Sequence, residues 1–230
     1  MLLPIFDRNP LRIIPFQFMT ISLIFVTVLI FLWQINLPPQ LAERAVLVYG
    51  MIPSVLLGPD TLDPRLAPIP PSITLLTSAF LHGDWWHLLG NMLFLWVFGD
   101  NIEDSMGHWK FLLFYLICAA AAALIQGIAA PQAQEPMVGA SGAVAGVLGA
   151  YIVLHPRVKV MVLAFKWFPL YLPAYFVLAL WFGFQFFSLW FGNASPVAWW
   201  AHIGGFVVGA LLIIPFRDKS VPLFDQGVDH

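Results

Sequence analysis

Long apolar stretches separated by short polar or proline-rich connections dominate the chain. A membrane-spanning helix needs roughly 20 mostly apolar residues, because the hydrocarbon core is about 30 Å thick and a helix rises about 1.5 Å per residue. Six stretches approach this length, and they predict six spanning helices. Their expected bounds are Phe16–Ile35, Trp85–Ile102, Phe111–Ala130, Gly139–Leu154, Leu170–Phe191 and Val197–Phe216. The second and fourth are short, which indicates helices that thin the bilayer or lie within a shell of longer ones.

The segment from Asn36 to Ser72 has a different pattern. It is rich in proline, which excludes one continuous helix, yet it keeps many Leu, Val and Ile residues. We therefore expect a partly buried loop at the membrane interface. No internal repeat and no second domain is visible, so the fold class predicted for residues 1–230 is a single all-α membrane domain with six helices.

Composition supports the membrane assignment and limits the partners. The 230 residues are 60% hydrophobic and 10% charged, whereas soluble domains are about 25% charged. The net charge of -2 and the lack of a basic run make nucleic acid an unsuitable partner. Cys118 is the single cysteine, so no internal disulfide can form. Neither a signal-peptide nor a transit-peptide pattern is evident, and the first span is expected to remain as an anchor.

Lysine and arginine are distributed unequally between the two sides that six spans define. One side receives eight of them and the other side receives two, Arg44 and Arg65. The eight are Arg8, Arg12, Lys110, Arg157, Lys159, Lys166, Arg217 and Lys219. Because positive charge is retained in the cytoplasm, both termini are predicted to be cytoplasmic, in the cell membrane. The loops at Asn36–Ser72, Gln126–Pro136 and Gly192–Pro196 would then face outward.

Polar side chains in the second, fourth and sixth spans all lie near the outward ends of these helices. They are His87 and Asn91, Ser141, and His202, with His82 just before the second span. Trp85-Trp86 and Trp199-Trp200 precede the histidines, and tryptophan marks the membrane–water interface. Glycines spaced by four, Gly142/Gly146 and Gly205/Gly209, allow two helices to approach closely. The pattern predicts that Ser141 and His202 meet at one shallow depth.

Such a pair is suited to nucleophilic catalysis. A serine hydroxyl attacks a carbonyl efficiently only when a base takes its proton, and His202 is the histidine available in the sixth span. The Ser141 backbone N–H at a helix start, the Asn91 amide and the His87 ring could hold the oxyanion. We find no Asp or Glu within the spans that could orient His202, so a Ser-His dyad is predicted. Asp100, Glu103 and Asp104 are expected to be solvated or to cap helices.

Three stretches together resemble the rhomboid family of intramembrane serine proteases. They are LLTSAFLHGDWWHLLGNMLFLWVFGDNIEDSMG at 75–107, GASGAVAG at 139–146 and AHIGGFVVG at 201–209. The resemblance implies Ser141 as nucleophile, His202 as base, and His87 and Asn91 as oxyanion donors, with no cofactor or metal. His82 matches an additional upstream histidine and is a secondary candidate. The long loop departs from some members because it contains no Trp-Arg pair.

Other functions remain open at this point. The leading hypothesis is an endoprotease that cuts transmembrane proteins near the outer membrane surface. A catalytically inactive rhomboid-like protein would bind transmembrane clients, but loss of Ser141 or His202 would mark it, and both are present. A haem or metal protein could use His87 and His202, although this leaves Ser141 and Asn91 unexplained. A transporter is disfavoured because no inverted repeat is evident. The oligomeric state is not predicted.

Overall fold

The computed structural model describes residues 2–64, 68–164, 168–191 and 198–225. Within them, the helices are α1 (Phe18–Ile35), α2 (Pro39–Tyr49), α3 (Pro53–Leu56), α4 (Thr74–Thr77), α5 (Trp85–Met106), α6 (His108–Ala129), α7 (Ser141–Leu154), α8 (Ala174–Phe191) and α9 (Trp199–Phe216). The strands are β1 (Leu2–Asp7), β2 (Lys159–Ala164) and β3 (Phe168–Pro173). Predictions about Arg65, Lys166, Val197 and the Gly192–Pro196 loop fall outside the described residues.

Each predicted stretch overlaps one helix of 14 to 22 residues. Among the described helices, three are long and apolar enough to cross a membrane by length and composition, namely α1, α6 and α9. The shorter α7 and the apolar part of α8 fall below that length. The count of six spans therefore stays a prediction, whereas the mostly helical architecture is confirmed.

A small antiparallel sheet corrects the all-α prediction. β1 pairs with β2, and β2 pairs with β3. β3 occupies the first residues of the stretch predicted as the fifth span, so that span was wrong at its start, Leu170. Pro169 and Pro173 disfavour helical backbone in the residues before them. The helix consequently begins only at Ala174, and β3 runs directly into α8.

The segment predicted as an interfacial loop also contains short helices. α2 and α3 begin at Pro39 and Pro53, where a proline at the first helical position loses no hydrogen bond. An antiparallel bridge joins Met51 to Met137, four residues before Ser141. The segment is thus attached to the chain that leads into α7.

Helix α7 lies at the centre of the molecule. All its residues from Gly142 to Tyr151 are buried, and Phe98 of α5 packs edge-on against Tyr151 with ring centroids 4.9 Å apart. Of the two alternatives expected for a short fourth helix, its burial supports enclosure by longer helices. Outward-facing side chains on the surrounding helices include exposed Phe25, Leu113 and Leu211, as expected for a surface in contact with lipid.

The C-terminal turn of α5 is buried, so Glu103 and Asp104 are not solvated, and Glu103 instead has the other expected role, that of capping a helix. The helix also extends to Met106, beyond the predicted end at Ile102. Glu103 is fully buried and accepts hydrogen bonds from the backbone N–H groups of Met19 and Thr20 at the start of α1. Asp104 accepts three from the backbone of residues 12–14. A carboxylate with several N–H partners can be buried at acceptable cost.

Candidate active site

Ser141 is the first residue of α7, and the backbone before it is tightly held. Gly139 has φ of +125°, a conformation that favours glycine, and its N–H donates to the Ser78 carbonyl at 2.9 Å. A Cβ at Gly139 would lie 2.6 Å from the His87 ring. The helix therefore starts two residues later than the predicted Gly139. This turn presents the Ser141 hydroxyl at the helix N-terminus, where backbone N–H groups lack partners within the helix.

His202 lies in the first turn of α9 and meets Ser141 directly. Its Nε2 is 2.8 Å from Ser141 Oγ. Two tryptophan rings flank the imidazole, with centroids at 5.9 Å for Trp181 and 6.0 Å for Trp199. The predicted encounter of these two side chains is present in the structure.

Backbone contact between α7 and α9 explains this short distance. A Cβ at Gly205 would lie 2.1 Å from the carbonyl oxygen of Gly142, and one at Gly209 would lie 2.0 Å from that of Gly146. Any larger residue would force the helices apart. The predicted close approach through glycines spaced by four is confirmed.

His87 and Asn91 lie on the neighbouring helix α5. The His87 ring packs against Gly139, and Asn91 is buried, with its Nδ2 donating to the His87 carbonyl at 2.9 Å. An amide nitrogen carries two N–H groups, so one remains for another acceptor. His87 is thus near the start of α7, Asn91 lies one turn further along α5, and their roles as oxyanion donors stay predictions.

His82 is fully buried behind the site. Its Nε2 accepts from the Ala140 N–H at 3.4 Å, and its carbonyl accepts from Gln34 Nε2 at 2.9 Å. Burial lowers the pKa of His82 to about 4, which keeps the ring neutral and able to accept. These contacts connect the turn before Ser141 to α1, so His82 helps to fix the position of that turn.

Two glutamines that sequence reasoning missed also contact the site. Gln185 of α8 places Oε1 2.8 Å from Nδ1 of His202, and Gln126 Oε1 accepts from the backbone N–H of Ala201 at 3.2 Å. The available signal was a polar residue in an otherwise apolar helix, since such residues are costly in a membrane and are rarely without a role.

The space beside Ser141 is small. A cavity of about 10 Å³ is lined there mainly by small residues of α6, α7 and α9, among them Ala122, Gly142 and Ala201. That volume is close to the minimum for one water molecule. Ser141 itself is half-buried.

No group of three or more His, Cys, Asp and Glu side chains in the described ranges is arranged to hold a metal ion. The histidines near Ser141 are instead engaged with the serine, a glutamine and backbone groups. The arrangement places a hydroxyl, an imidazole and several N–H donors together, which is the set of groups that acyl transfer uses.

Comparison with known proteins identifies the family. The model of the Rhomboid domain matches residues 72–219, well over half of the chain, and the chain belongs to the rhomboid family. The matched region contains all five predicted site residues and the helices from α4 to α9, including α8, which carries Gln185.

The curated relatives include proteins of a yeast, a plant and a bacterium. The chain is 32% identical over 148 residues to "Rhomboid protein 1, mitochondrial" of Saccharomyces cerevisiae, covering 60% of this chain and 40% of that protein. It is 34% identical over 155 residues to "RHOMBOID-like protein 12, mitochondrial" of Arabidopsis thaliana, covering 60% and 44%. It is 39% identical over 85 residues to "Rhomboid protease GluP" of Bacillus subtilis, covering 36% and 16%. The matches thus span less than half of each relative.

Proposed function

We propose that this chain is an intramembrane serine endopeptidase in which Ser141 is the nucleophile and His202 is the base. The observation that supports the proposal most directly is the 2.8 Å contact between Ser141 Oγ and His202 Nε2. Membership of a family that includes a protein named as a protease adds to it. A client-binding protein without activity would not need this contact.

The reaction follows from the positions of these groups. Ser141 Oγ attacks the carbonyl carbon of a peptide bond, and its proton passes to Nε2 of His202. The carbonyl oxygen becomes an oxyanion, which the Ser141 N–H, the free N–H of Asn91 and the His87 ring would stabilise. The C–N bond then breaks as His202 returns the proton to the leaving amine. Water, activated by the same imidazole, hydrolyses the acyl-serine and restores the hydroxyl.

The substrates are proposed to be transmembrane proteins cut near the outer membrane surface, by a six-span fold in the cell membrane with both termini in the cytoplasm. The support is the eight-to-two distribution of Lys and Arg. A Ser141→Cys variant in a Cys118→Ala background tests the side from which water reaches the site. An impermeant thiol reagent should label it from outside intact cells, and labelling only in inverted vesicles would contradict the orientation.

The central experiment compares the native protein with Ser141→Ala on a labelled transmembrane substrate in proteoliposomes. The variant should lose cleavage and fluorophosphonate labelling, because only the hydroxyl is removed. Its melting temperature should stay close to that of the native protein, which shows that folding is retained. Cleavage by the purified variant would overturn the assignment of Ser141. Binding of the substrate by native protein without cleavage or labelling would favour an inactive client-binding protein.

A further inference from the structure

Gln185 is a buried amide on the apolar helix α8, and both ends of its side chain have a partner. It is 4% exposed. Its Oε1 lies 2.8 Å from Nδ1 of His202, and its Nε2 donates to the Trp181 carbonyl, one turn earlier, at 3.2 Å. Burying an amide in such a helix is costly unless both its donor and its acceptor are satisfied. The contact with His202 is therefore a specific feature of this site.

The Trp181 carbonyl determines which way the amide points. A backbone carbonyl can only accept a hydrogen bond, so the NH₂ group of Gln185 must face it and Oε1 must face His202. An amide oxygen can likewise only accept. Nδ1 of His202 therefore carries the proton, and Nε2 presents a lone pair to the Ser141 hydroxyl.

We propose that Gln185 is a positioning residue that holds His202 in the tautomer and the ring orientation required to take the proton of Ser141. The inference rests on the proposed function. It assigns to a neutral amide the orienting part that a carboxylate performs in Ser-His-Asp triads. The flanking rings of Trp181 and Trp199 limit movement of the imidazole, and the hydrogen bond from Nδ1 selects its protonated nitrogen.

The amide differs from a carboxylate in one respect that can be measured. A carboxylate stabilises the imidazolium form electrostatically, whereas an amide supplies only a dipole. Replacing Gln185 by Glu keeps an acceptor of the same size at Nδ1 but adds this preference for the protonated ring. A base must be neutral to accept the serine proton, so the acidic limb of the pH–rate profile should move to higher pH in Gln185→Glu.

The test uses the full chain in detergent or proteoliposomes with three variants. Gln185→Leu removes the acceptor at similar volume, Gln185→Glu retains it, and Ser188→Ala removes another buried polar group from the same helix. We expect fluorophosphonate labelling and kcat to fall about 10- to 100-fold in Gln185→Leu with little change in KM, since part of a general base contribution is lost. Gln185→Glu should regain activity above its shifted acidic limb, and Ser188→Ala should behave as the native protein.

A second measurement separates this inference from the proposed function. The ¹⁵N shifts of the His202 ring, assigned by comparison with His202→Ala, report which nitrogen is protonated whether or not the protein cleaves anything. The native chain should show a proton on Nδ1, and Gln185→Leu should show a mixture of tautomers. A proton on Nε2 in the native chain, or unchanged labelling and pH profile in both Gln185 variants, would overturn the inference while the proteolytic function could stand. Absence of native cleavage with the Nδ1 tautomer present would instead reject the function alone.

Discussion

Substituting Gly205 by alanine should separate Ser141 from His202 without touching either. The new Cβ would lie 2.1 Å from the carbonyl oxygen of Gly142, and real Cβ contacts are not found below 3.0 Å. The obstacle is backbone, so α9 must move by at least 3.0 minus 2.1, about 0.9 Å. Carried fully to the reacting atoms, this extends the 2.8 Å contact to about 3.7 Å, beyond hydrogen-bond range.

A displacement near 1 Å in a catalytic site typically lowers the rate about 100-fold. We therefore expect Gly205→Ala to reduce both substrate cleavage and fluorophosphonate labelling by about that factor, although alanine favours helix formation over glycine. Both rates would be measured on purified protein in proteoliposomes. Gly90→Ala in α5 is the matched control, because its Cβ would have no neighbour within 4 Å. Labelling of Gly205→Ala at the native rate would refute the view that backbone contact sets this distance.

Further predictions concern Asn91 near the Ser-His pair and two buried carboxyl groups, Glu103 and Asp7. Asn91→Ala should lower kcat about 10²–10³-fold with little effect on KM, and the opposite split would exclude an oxyanion role. Glu103→Gln should lower the melting temperature, because unsatisfied buried groups cost about 1–3 kcal/mol each, whereas the exposed Glu43→Gln should not. Burial raises the pKa of the Asp7 carboxyl to about 7. The native state therefore holds a proton that the unfolded chain releases near pH 4, and the free energy of unfolding should fall as pH rises from about 4 to 7. Asp7→Asn should reduce that slope in melting curves, and an unchanged slope would contradict this source.

The positions of the long helices could be predicted because apolar length is a local property. α1, α6 and α9 begin or end within three residues of the expected bounds. The contact between Ser141 and His202 could also be predicted, since glycines spaced by four mark two helices that can approach each other. A fixed spacing in the sequence thus carried information about a distant contact.

The sheet could not be predicted in the same way. β1 and β2 are short apolar strands that pair with each other although they are far apart in the sequence, and such runs resemble helix ends by composition. The starting point of α8 was nevertheless visible in Pro169 and Pro173. A proline disfavours helical backbone in the residue before it, but the apolar composition of the stretch favoured a longer helix.

The hydrogen-bond partners of buried polar side chains could not be predicted from the sequence either. Glu103 and Asp104 are charged residues near a helix end, and sequence alone does not show that the N-terminal segment folds back to supply N–H donors to them. Gln185 belongs to the same group, because its contact with the site requires a histidine in another helix. Side chains whose role is set by a partner remote in the chain are where sequence reasoning was weakest.

Helix α8 follows β3 without a connecting loop, so a small rotation where they join displaces the distant part of the helix. Its first turn is attached through Pro173 to a strand that the rest of the sheet holds, so rotation about this junction moves the far end most. Gln185 is eleven residues from Ala174, about 17 Å along the helix axis. A tilt of about 5° about the junction therefore displaces its amide by about 1.5 Å, enough to break the hydrogen bond to His202. A very small angular change in one helix is thus sufficient to disconnect the imidazole from its neutral partner.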